Sequence, residues 1–400
     1  MPKAVVILPT STYRAADFVK AAAALGIDLV VASEEPPPFD MGDRYLQIDC
    51  SDPEKAAESI AALGETVPID GVVAADDQGV MVAAHTSALL GLAGNRPEAA
   101  AATRDKLVMR QALATAEVTQ PRFAPLTPAD SPADVANAVG LPVVIKPVDR
   151  SASQGVIRVD EAAEAGPTAA RIRRIVGEEA TLLVEAYVPG SEIAIEGLLS
   201  DGDLTVLAVF DKPETSSGPY FPETLFVTPS RHAGSALLEA ERTAGAAVRA
   251  LGLTSGPVHI ELKLEGDRAS VIEVAARSIG GLCSRSLNFG LMGTTLESLI
   301  LRNAIRQGRY DLRRESVASG VLMIPTPDSG ILANVAGETE TLDIPGITGI
   351  DFTIRSGGKT VAPPEGDRYL GFVYARAQSP EEVESALRKA LSTLEVQLEG

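Results

Sequence analysis

The first hundred residues alternate short apolar runs with amphipathic stretches. KAVVILP and IDLVVAS are apolar runs of strand length, and AADFVKAAAALG between them has the spacing of a helix. DGVVAAD and the helical stretch that follows it repeat the same unit. Alternation of this kind predicts a parallel sheet covered by helices, an α/β domain over residues 1–115. The first turn, LPTSTYR, lacks GxGxxG, so the pattern does not indicate a dinucleotide site.

The pattern changes after this α/β part. TRDKLVMRQALATA predicts a helix with Thr103 as its N-cap, and the proline-rich TQPRFAPLTPADSP predicts a domain boundary. LPVVIKPV, GVIRVD and TLLVEAYV predict strands of a small α+β module over residues 121–186. Further strands predict a core over 187–315, which includes a polar segment at 211–230 that we expect to be mobile. Residues 316–400 predict a closing α+β region.

Composition narrows the class of protein. The chain has 400 residues with 45% hydrophobic and 22% charged, which is typical of a folded globular protein. A net charge of −19 disfavours a nucleic-acid partner, although local cations and amides can still bind a nucleotide. The sequence lacks a membrane-length apolar run, a signal-peptide pattern and cysteine spacing for a disulfide framework, since only Cys50 and Cys283 are present. We therefore expect a cytoplasmic protein without a membrane partner.

Two glutamates in IELKLEGDRASVIEVAARSIGG raise the possibility of a metal site. If Gly266-Asp267-Arg268 is a three-residue hairpin loop, Glu261 lies opposite Glu273 on one strand face. Opposed like charges destabilise a hairpin, whereas carboxylates are ligands that Mg²⁺ takes together with phosphates. The pattern indicates either a Mg²⁺–nucleotide site or a solvated face on which Lys263 and Arg277 neutralise the acids. The opposite face carries the expected core residues Ile260, Leu262, Leu264, Ile272, Val274 and Ala276.

Three weaker signals precede this hairpin. Lys146 ends an apolar strand and precedes the Ser/Gly-rich loop 149–155, which is either a nest of amides for an anion or a plain polar hairpin. EAYVPG (185–190) ends another strand, and it either offers backbone groups to an adenine edge or is a simple turn. Lys106, taken alone, is typical of a solvated helix lysine.

In this order, these features resemble the ATP-grasp superfamily over about residues 100–310. EVAARSIGGLCSRSL and GDRYLGFVYARAQSPEEVE most resemble the carboxylate–amine ligases, which include the L-amino acid ligases and are related in architecture to biotin carboxylase. The resemblance implies an ATP-grasp fold of mixed α/β and α+β class. Its parts would be an N-terminal Rossmann-like domain with a parallel sheet, a small lid domain and a C-terminal α+β domain.

The resemblance also implies roles for individual residues. Contacts to ATP are implied for Lys106, Lys146, Ser151, Ser153, Gly155, Glu185, Tyr187, Val188 and Glu192. Glu261 and Glu273 would hold Mg²⁺ or Mn²⁺. A catalytic role is implied for Arg277 and Lys146. The amides near Ser278, Gly280 and Gly281 would bind the substrate carboxylate. Glu223 would contact the substrate amine or a metal. One departure is Ala275, where the superfamily often has an asparagine ligand, and it leaves the number of metal ions open.

The implied reaction is ATP-dependent ligation of a carboxylate to an amine through an acyl phosphate, with amino-acid-like substrates. The partners would be small molecules, and a homodimer formed through the N-terminal or C-terminal domain is compatible with this organisation. The alternatives are a biotin-carboxylase-like reaction, a nucleotide-precursor ligase, or an ATP-binding sensor without catalysis. PGSEIAIEGLL lacks the histidine motif expected of a biotin carboxylase, whereas Ala275 keeps the sensor open. Neither the substrates nor the general base can be named from the sequence.

Overall fold

The N-terminal part folds around a parallel sheet, as the alternating pattern predicts. The structure is a computed structural model that describes residues 1–10, 12–36, 41–213, 218–308 and 310–399. The sheet has the order β3-β2-β1-β4, with all neighbours parallel. Its strands are β1 (Lys3–Ile7), β2 (Asp28–Ser33), β3 (Tyr45–Gln47) and β4 (Gly71–Ala74). The helices of this part are α1 (Ala15–Leu25), α2 (Pro53–Thr66), α3 (Val80–Leu90), α4 (Pro97–Arg104) and α5 (Lys106–Thr115).

The helix that carries Lys106 begins two residues later than predicted. Asp105, not Thr103, is the N-cap of α5, and its carboxylate accepts hydrogen bonds from the amides of Leu107 and Val108. Thr103 instead lies in the last turn of α4, where its hydroxyl donates to the carbonyl of Ala100. The extended backbone at Asp105 separates two helices that the local pattern does not distinguish.

A second, antiparallel sheet forms the small α+β module. Its order is β5-β8-β6-β7, with Lys146 on β6 and Glu185 on β8. Two helices cover it, one from the Ser131 N-cap and one after the loop 149–155. The elements are β5 (Phe123–Leu126), α6 (Pro132–Val139), β6 (Val143–Pro147), β7 (Ile157–Val159), α7 (Ala162–Val176) and β8 (Leu182–Ala186).

The large central sheet has the order β13-β12-β9-β10-β11-β14-β18-β16, with antiparallel neighbours. Its last three strands come from the C-terminal region, which therefore extends this sheet, and a small sheet of order β17-β15-β19 lies beside it. The first elements are β9 (Ser191–Ser200), β10 (Asp203–Lys212), β11 (Leu225–Thr228), α8 (Ser235–Ala250), β12 (Gly256–Glu265), β13 (Arg268–Ala275) and α9 (Leu296–Ala304). The remaining elements are β14 (Ala318–Ile324), β15 (Gly330–Ala336), α10 (Glu338–Leu342), β16 (Ile347–Phe352), β17 (Lys359–Thr360), β18 (Gly371–Ala377), α11 (Pro380–Thr393) and β19 (Glu395–Leu398).

The helices of this region bury one face each against the sheets. On α8, the small residues Ala240, Ala244 and Ala247 recur at helical spacing and are fully buried against β12 and β13. On α11, Val383 and Leu387 pack in the same way on β14 and β18. Among the described residues, none of the helices combines the length and the apolar character that crossing a bilayer requires.

The polar segment at 211–230, which we expected to be mobile, contains an ordered strand. Its residues 225–228 form β11, whose side chains are all buried between β10 and β14. Residues 214–217 of the segment lie outside the described residues. The apolar run LFV explains the strand, because Phe226 packs into one core cluster of the central sheet while Leu225 and Val227 pack into another.

The hairpin of β12 and β13 has a shorter turn than predicted, yet it brings the two glutamates together. Glu265 pairs with Arg268 around a two-residue turn, where Gly266 has a φ of 60°. Ile272 is then an extra residue, so that Glu261 pairs with Glu273 after all. The bulge moves Ile272 out of the predicted core face, and it lines a cavity instead.

Candidate active site

A cavity of about 450 Å³ lies between the small module, the central sheet and the N-terminal part. It collects most of the residues to which the resemblance assigns roles. These are Lys106, Lys146, Ser151, Ser153, Glu185, Tyr187, Val188, Glu192, Glu223, Glu261, Glu273, Arg277, Gly280 and Gly281. Gly155 and Ser278 do not line it.

The register of the central sheet arranges charged residues in rows on the face toward the cavity. One row, across β12, β9 and β10, reads Lys263, Glu192 and Lys212. The next row contains the glutamate pair of the β12–β13 hairpin, followed by Ala194 on β9. Because side chains alternate along each strand, the charged residues meet on one face while apolar residues fill the other.

Glu185 is the centre of a buried ion-pair network at one end of the cavity. Its Oε1 accepts from Nε of Arg110 at 2.6 Å, and its Oε2 lies 2.8 Å from Nζ of Lys146. Burial alone would raise the pKa of Glu185, but Arg110 and Lys146 lower it to about 2. Burial also lowers the pKa of Lys146, against the opposing effect of Glu185. Both oxygens of Glu185 are thus engaged before any ligand binds.

Arg110 also fixes the bulge that brings the two hairpin glutamates together. Its side chain is fully buried, and Nη1 and Nη2 donate to the carbonyls of Val271 and Ile272 at 3.0 and 2.5 Å. The sequence analysis missed this residue. Its signal is an arginine at a position of α5 that falls on the buried stripe with Met109 and Leu113.

The paired carboxylates of Glu261 and Glu273 fit the requirements of a magnesium site. Nζ of Lys106 lies 3.1 Å from Oε1 of Glu273 and also donates to the carbonyl of Arg150, which connects the hairpin with the loop 149–155. Within the described residues, no three His, Cys, Asp or Glu side chains form a metal-binding group. Two carboxylates without a further protein ligand suit Mg²⁺ or Mn²⁺, which take the remaining oxygens from phosphates and water.

His259 connects this pair with the loop that follows β13. Its Nδ1 contacts Oε1 of Glu196, and its Nε2 lies 3.3 Å from Oε1 of Glu261. The other oxygen of Glu196 accepts from the amide of Ile279 at 3.0 Å. Burial would lower the pKa of His259, but the two glutamates raise it to about 9, so the ring is an imidazolium at neutral pH. The pairing of His259 with Ala275 places it where the hairpin lacks a polar partner.

Lys212 lies among three carboxylates at the centre of the cavity. Nζ contacts Glu192 and lies 3.0 Å from Glu223 and 3.4 Å from Glu261. Burial raises the pKa of Glu223 to about 7, with Glu261 adding to this effect and Lys212 opposing it. Nζ of Lys263 lies 3.0 Å from the second oxygen of Glu192, so both oxygens of this expected ATP contact are paired with lysines.

Arg277 is oriented by the N-terminal part of the chain. Its Nε lies 2.9 Å from Oδ2 of Asp77, whose Oδ1 lies 3.1 Å from Arg104, and its Nη1 donates to the carbonyl of Ser278. Burial would lower the pKa of Arg277, but Asp77 raises it. Asp77 therefore serves as an orienting partner of the guanidinium.

Ser278 and Gly155 lie behind the cavity surface, unlike the other residues to which the resemblance assigns roles. Ser278 is buried, and its hydroxyl accepts from Nη1 of the fully buried Arg14 at 2.8 Å, so it anchors the loop from behind. The amide of Gly155 donates to the carbonyl of Pro364 at 2.8 Å, and its own position is packed against Pro147. Both residues therefore support the cavity wall without forming its surface. Neither long-range contact has a signal in the local sequence.

The loop 149–155 is held in an uncommon conformation over the cavity. Ala152 and Ser153 have φ of 53° and 55°, a left-handed region that non-glycine residues seldom adopt. The C-terminal region secures the loop, because the side chain of Gln154 donates to the carbonyl of Glu365 and Arg171 pairs with the Glu365 carboxylate at 2.7 Å. Backbone strain of this kind occurs where a loop is shaped for a ligand.

Family models match three stretches of the chain. An ATP-grasp N-terminal domain matches residues 19–94, an ATP-grasp domain matches residues 139–286, and an L-amino acid ligase C-terminal domain 2 matches residues 322–399. The order of these matches agrees with the mixed α/β fold. The chain therefore contains an ATP-grasp domain, preceded by an ATP-grasp N-terminal domain and followed by the C-terminal domain 2 of L-amino acid ligases, and the resemblance drawn from the motifs is confirmed.

Two similar proteins match nearly the whole chain, and a third matches part of it. The crystal structure of an L-amino acid ligase from Bacillus licheniformis matches with a TM-score of 0.84 and 24% identity, covering 100% of this chain and 99% of that one, and confirms the fold. The uncharacterized protein y4rH of Sinorhizobium fredii is 23% identical over 99% of this chain and 83% of its own length. Alanine–anticapsin ligase of Bacillus subtilis is 27% identical over 57% of this chain. This last match spans about half of that ligase, 52% of its length.

Proposed function

We propose that the chain is an ATP-dependent carboxylate–amine ligase that joins amino-acid-like substrates and releases ADP and phosphate. The observation that carries the proposal is the convergence of Lys106, Lys146, Glu261, Glu273 and Arg277 on one cavity. These residues come from different parts of the chain, and the convergence supplies cations for phosphates, carboxylates for a divalent ion and a guanidinium for an oxyanion. The match to the C-terminal domain of L-amino acid ligases supports amino-acid-like substrates.

The phosphate end of the cavity lies between the small module and the β12–β13 hairpin. Lys106 is attached to both sides, through Glu273 and the carbonyl of Arg150. We infer that it contacts the phosphates of ATP together with Lys146 and the loop 149–155. Glu261 and Glu273 would hold Mg²⁺ or Mn²⁺, which, when bound, neutralises charge on the phosphates. The protein's own contribution is to hold ATP and its acceptor in line.

In the first step, an oxygen of the substrate carboxylate attacks the γ-phosphorus of ATP, and the bond to the bridging oxygen of ADP breaks. The products are an acyl phosphate and ADP. In the second step, the amine attacks the acyl carbon and phosphate leaves, while the amine loses a proton. Arg277, oriented by Asp77 at 2.9 Å, stabilises the oxyanion that forms in this step. The amides at Gly280 and Gly281, which line the same wall, would bind the carboxylate.

Water must be kept from the acyl phosphate, which is easily hydrolysed. The small module covers the cavity, and its contacts with Pro364 and Glu365 hold it against the C-terminal region. We therefore assign the module the role of a lid that separates the intermediate from solvent.

The test is ADP release measured against pairs of amino acids, with the products identified by mass. We expect turnover that depends on an amino-acid pair and a product equal in mass to the two substrates minus water. Turnover that requires bicarbonate and biotin instead would indicate a carboxylase, and turnover with a nucleotide precursor would indicate that class of ligase. Tight ATP binding without turnover for any carboxylate and amine would indicate a sensor.

A pair of variants on one hairpin tests the site assignment. Glu273→Gln should abolish ADP release and change the free energy of unfolding by less than about 1 kcal/mol, because this carboxylate is partly solvent-accessible. Glu265→Gln at the exposed end of the same hairpin is the matched control and should retain full turnover. Unchanged turnover in Glu273→Gln would show that the assignment of the metal-binding carboxylates is wrong.

A further inference from the structure

Lys212 occupies a central position in the charged rows of the cavity-facing sheet. It is the last residue of β10 and pairs with Glu192 on β9, which in turn pairs with Lys263 on β12. This strand pairing places the ammonium group of Lys212 on the side of the central sheet that lines the cavity. A lysine at the end of an apolar strand, here LAVFDK, is the sequence signal that could have identified it, since Lys146 occupies the same kind of position.

Three carboxylates from separate segments converge on this ammonium. They belong to Glu192 on β9, to Glu223 on the segment before β11 at 3.0 Å, and to Glu261 on β12 at 3.4 Å. The ring of Phe226 adds a cation–π contact, with Nζ 5.2 Å from its centroid. The side chain is only 9% exposed. Held from several directions by groups on different strands, the ammonium is a fixed positive charge beside Glu261.

Glu261 and Glu273 supply the oxygen ligands for one divalent ion. Such an ion at a nucleotide site takes one or two carboxylates and completes its shell with phosphates and water, a demand that Glu261 and Glu273 satisfy. A second ion would need further carboxylates, but those of Glu192 and Glu223 lie closer to Nζ of Lys212 than that of Glu261 does. Ala275 has no oxygen on its side chain, and the position opposite it is filled by His259. Among the described residues no group of three such side chains forms a metal-binding cluster.

We propose that the Lys212 ammonium is a permanent cation of the nucleotide site, so that the site takes one divalent ion, at Glu261 and Glu273, rather than a pair. The inference rests on the proposed ATP-binding function and deepens it. It answers the question that Ala275 raises, because the charge that a second ion would bring is already part of the polypeptide. Unlike a dissociable ion, this charge is present at any concentration of metal.

The test is to count bound Mn²⁺ by electron paramagnetic resonance in the presence of a non-hydrolysable ATP analogue. The wild type should bind one Mn²⁺ per chain. Lys212→Met, which leaves three carboxylates without their counter-charge, should bind two, and Lys212→Arg, which keeps the charge, should bind one. Two ions in the wild type overturn the proposal, and so does a single ion in Lys212→Met.

Lys263→Met is the matched control. Lys263 contacts Glu192 at 3.0 Å from the neighbouring strand but makes no ion pair with Glu223 or Glu261 within the described part of the chain, so its removal should leave the count at one. A second ion in Lys263→Met would show that any lost lysine admits metal, which overturns the specific role of Lys212. Circular dichroism verifies that the variants fold, and the wild-type count decides the question if they do not.

The outcome is separable from that of the proposed ligase function. Two Mn²⁺ ions together with amino-acid-dependent turnover would overturn the role of Lys212 and leave the ligase standing. Absence of analogue binding by the wild type would overturn both. A single bound Mn²⁺ ion without turnover on any substrate pair would support the role of Lys212 as a permanent cation and overturn the proposed ligase function.

Discussion

The Glu185 ion-pair network makes a prediction about stability that can be followed quantitatively with pH. Glutamine keeps the shape of Glu185 but removes the charge, which leaves Arg110 and Lys146 facing each other without a counter-ion. The side chain is only 4% exposed, so water cannot compensate for the loss. Breaking a buried pair in this way costs about 3–5 kcal/mol.

The pKa of Glu185 gives an independent magnitude. Its value of about 2 in the folded protein lies below the ordinary 4.5, and this difference corresponds to about 3 kcal/mol of stabilisation by the charged form. Because the folded pKa is depressed, this stabilisation is complete above the unfolded pKa and is lost as the pH falls through the folded pKa. It should amount to about 3 kcal/mol at pH 7 and about 1.4 kcal/mol at pH 3.

The assay is urea unfolding of the wild type and Glu185→Gln at several pH values, followed by circular dichroism. The gap in free energy of unfolding between the two proteins should shrink by about half from pH 7 to pH 3. Glu179→Gln, at an exposed loop of the same module, is the control and should show no such gap. A gap that stays constant with pH would refute the reasoning, since it would attribute the effect to shape instead of charge.

Three further changes test other parts of the site. Gly281→Ala should raise KM for the carboxylate substrate, because φ at this position is 58° and an added Cβ would lie 2.5 Å from Phe372. Gly280→Ala is the control and should leave KM unchanged, since an added Cβ there would meet no atom within 4 Å. Equal effects of the two substitutions on KM would contradict this reasoning. Lys146→Ala should raise KM for ATP and also lower the free energy of unfolding, since it leaves Glu185 with a single partner; unchanged stability would count against the buried pair. Glu365→Gln should change the free energy of unfolding by less than about 1 kcal/mol, because the ion pair with Arg171 is exposed. The substitution should nevertheless speed proteolysis within the loop 149–155. An unchanged cleavage rate would show that the contact of Glu365 with Arg171 does not hold the small module in place.

Local pattern predicted the parts of the fold that depend on neighbouring residues. Alternation of apolar runs and helices was sufficient for the parallel sheet, and the hairpin pattern was sufficient to place Glu261 opposite Glu273. The assumed turn was one residue too long, and the bulge at Ile272 compensates for this difference. Turn type and bulge position depend on tertiary contacts, here the hydrogen bonds from Arg110 to the bulged carbonyls, and these do not appear in the local pattern.

Contacts between distant segments could not be predicted in this way. Lys212 meets Glu261 because β9 lies between β10 and β12, an order that the sequence of strands along the chain does not specify. Arg14 reaches Ser278 across 264 positions, and Gly155 reaches Pro364 over a similar separation. Such contacts have no periodic signal. They become visible only when the packing of the sheets is known.

The place of the C-terminal strands in the central sheet has a consequence for protein engineering. β11 is hydrogen-bonded to β10 on one side and to β14 on the other, so the sheet continues without a break across residue 316. A chain truncated there would expose the edge of β11, an apolar strand with unpaired amides and carbonyls, and would tend to aggregate. Chimeras with related ligases should therefore exchange the small module between residues 121 and 186 and keep the C-terminal region with its own core, because within the described residues the sheet of the small module shares no strand with the other sheets.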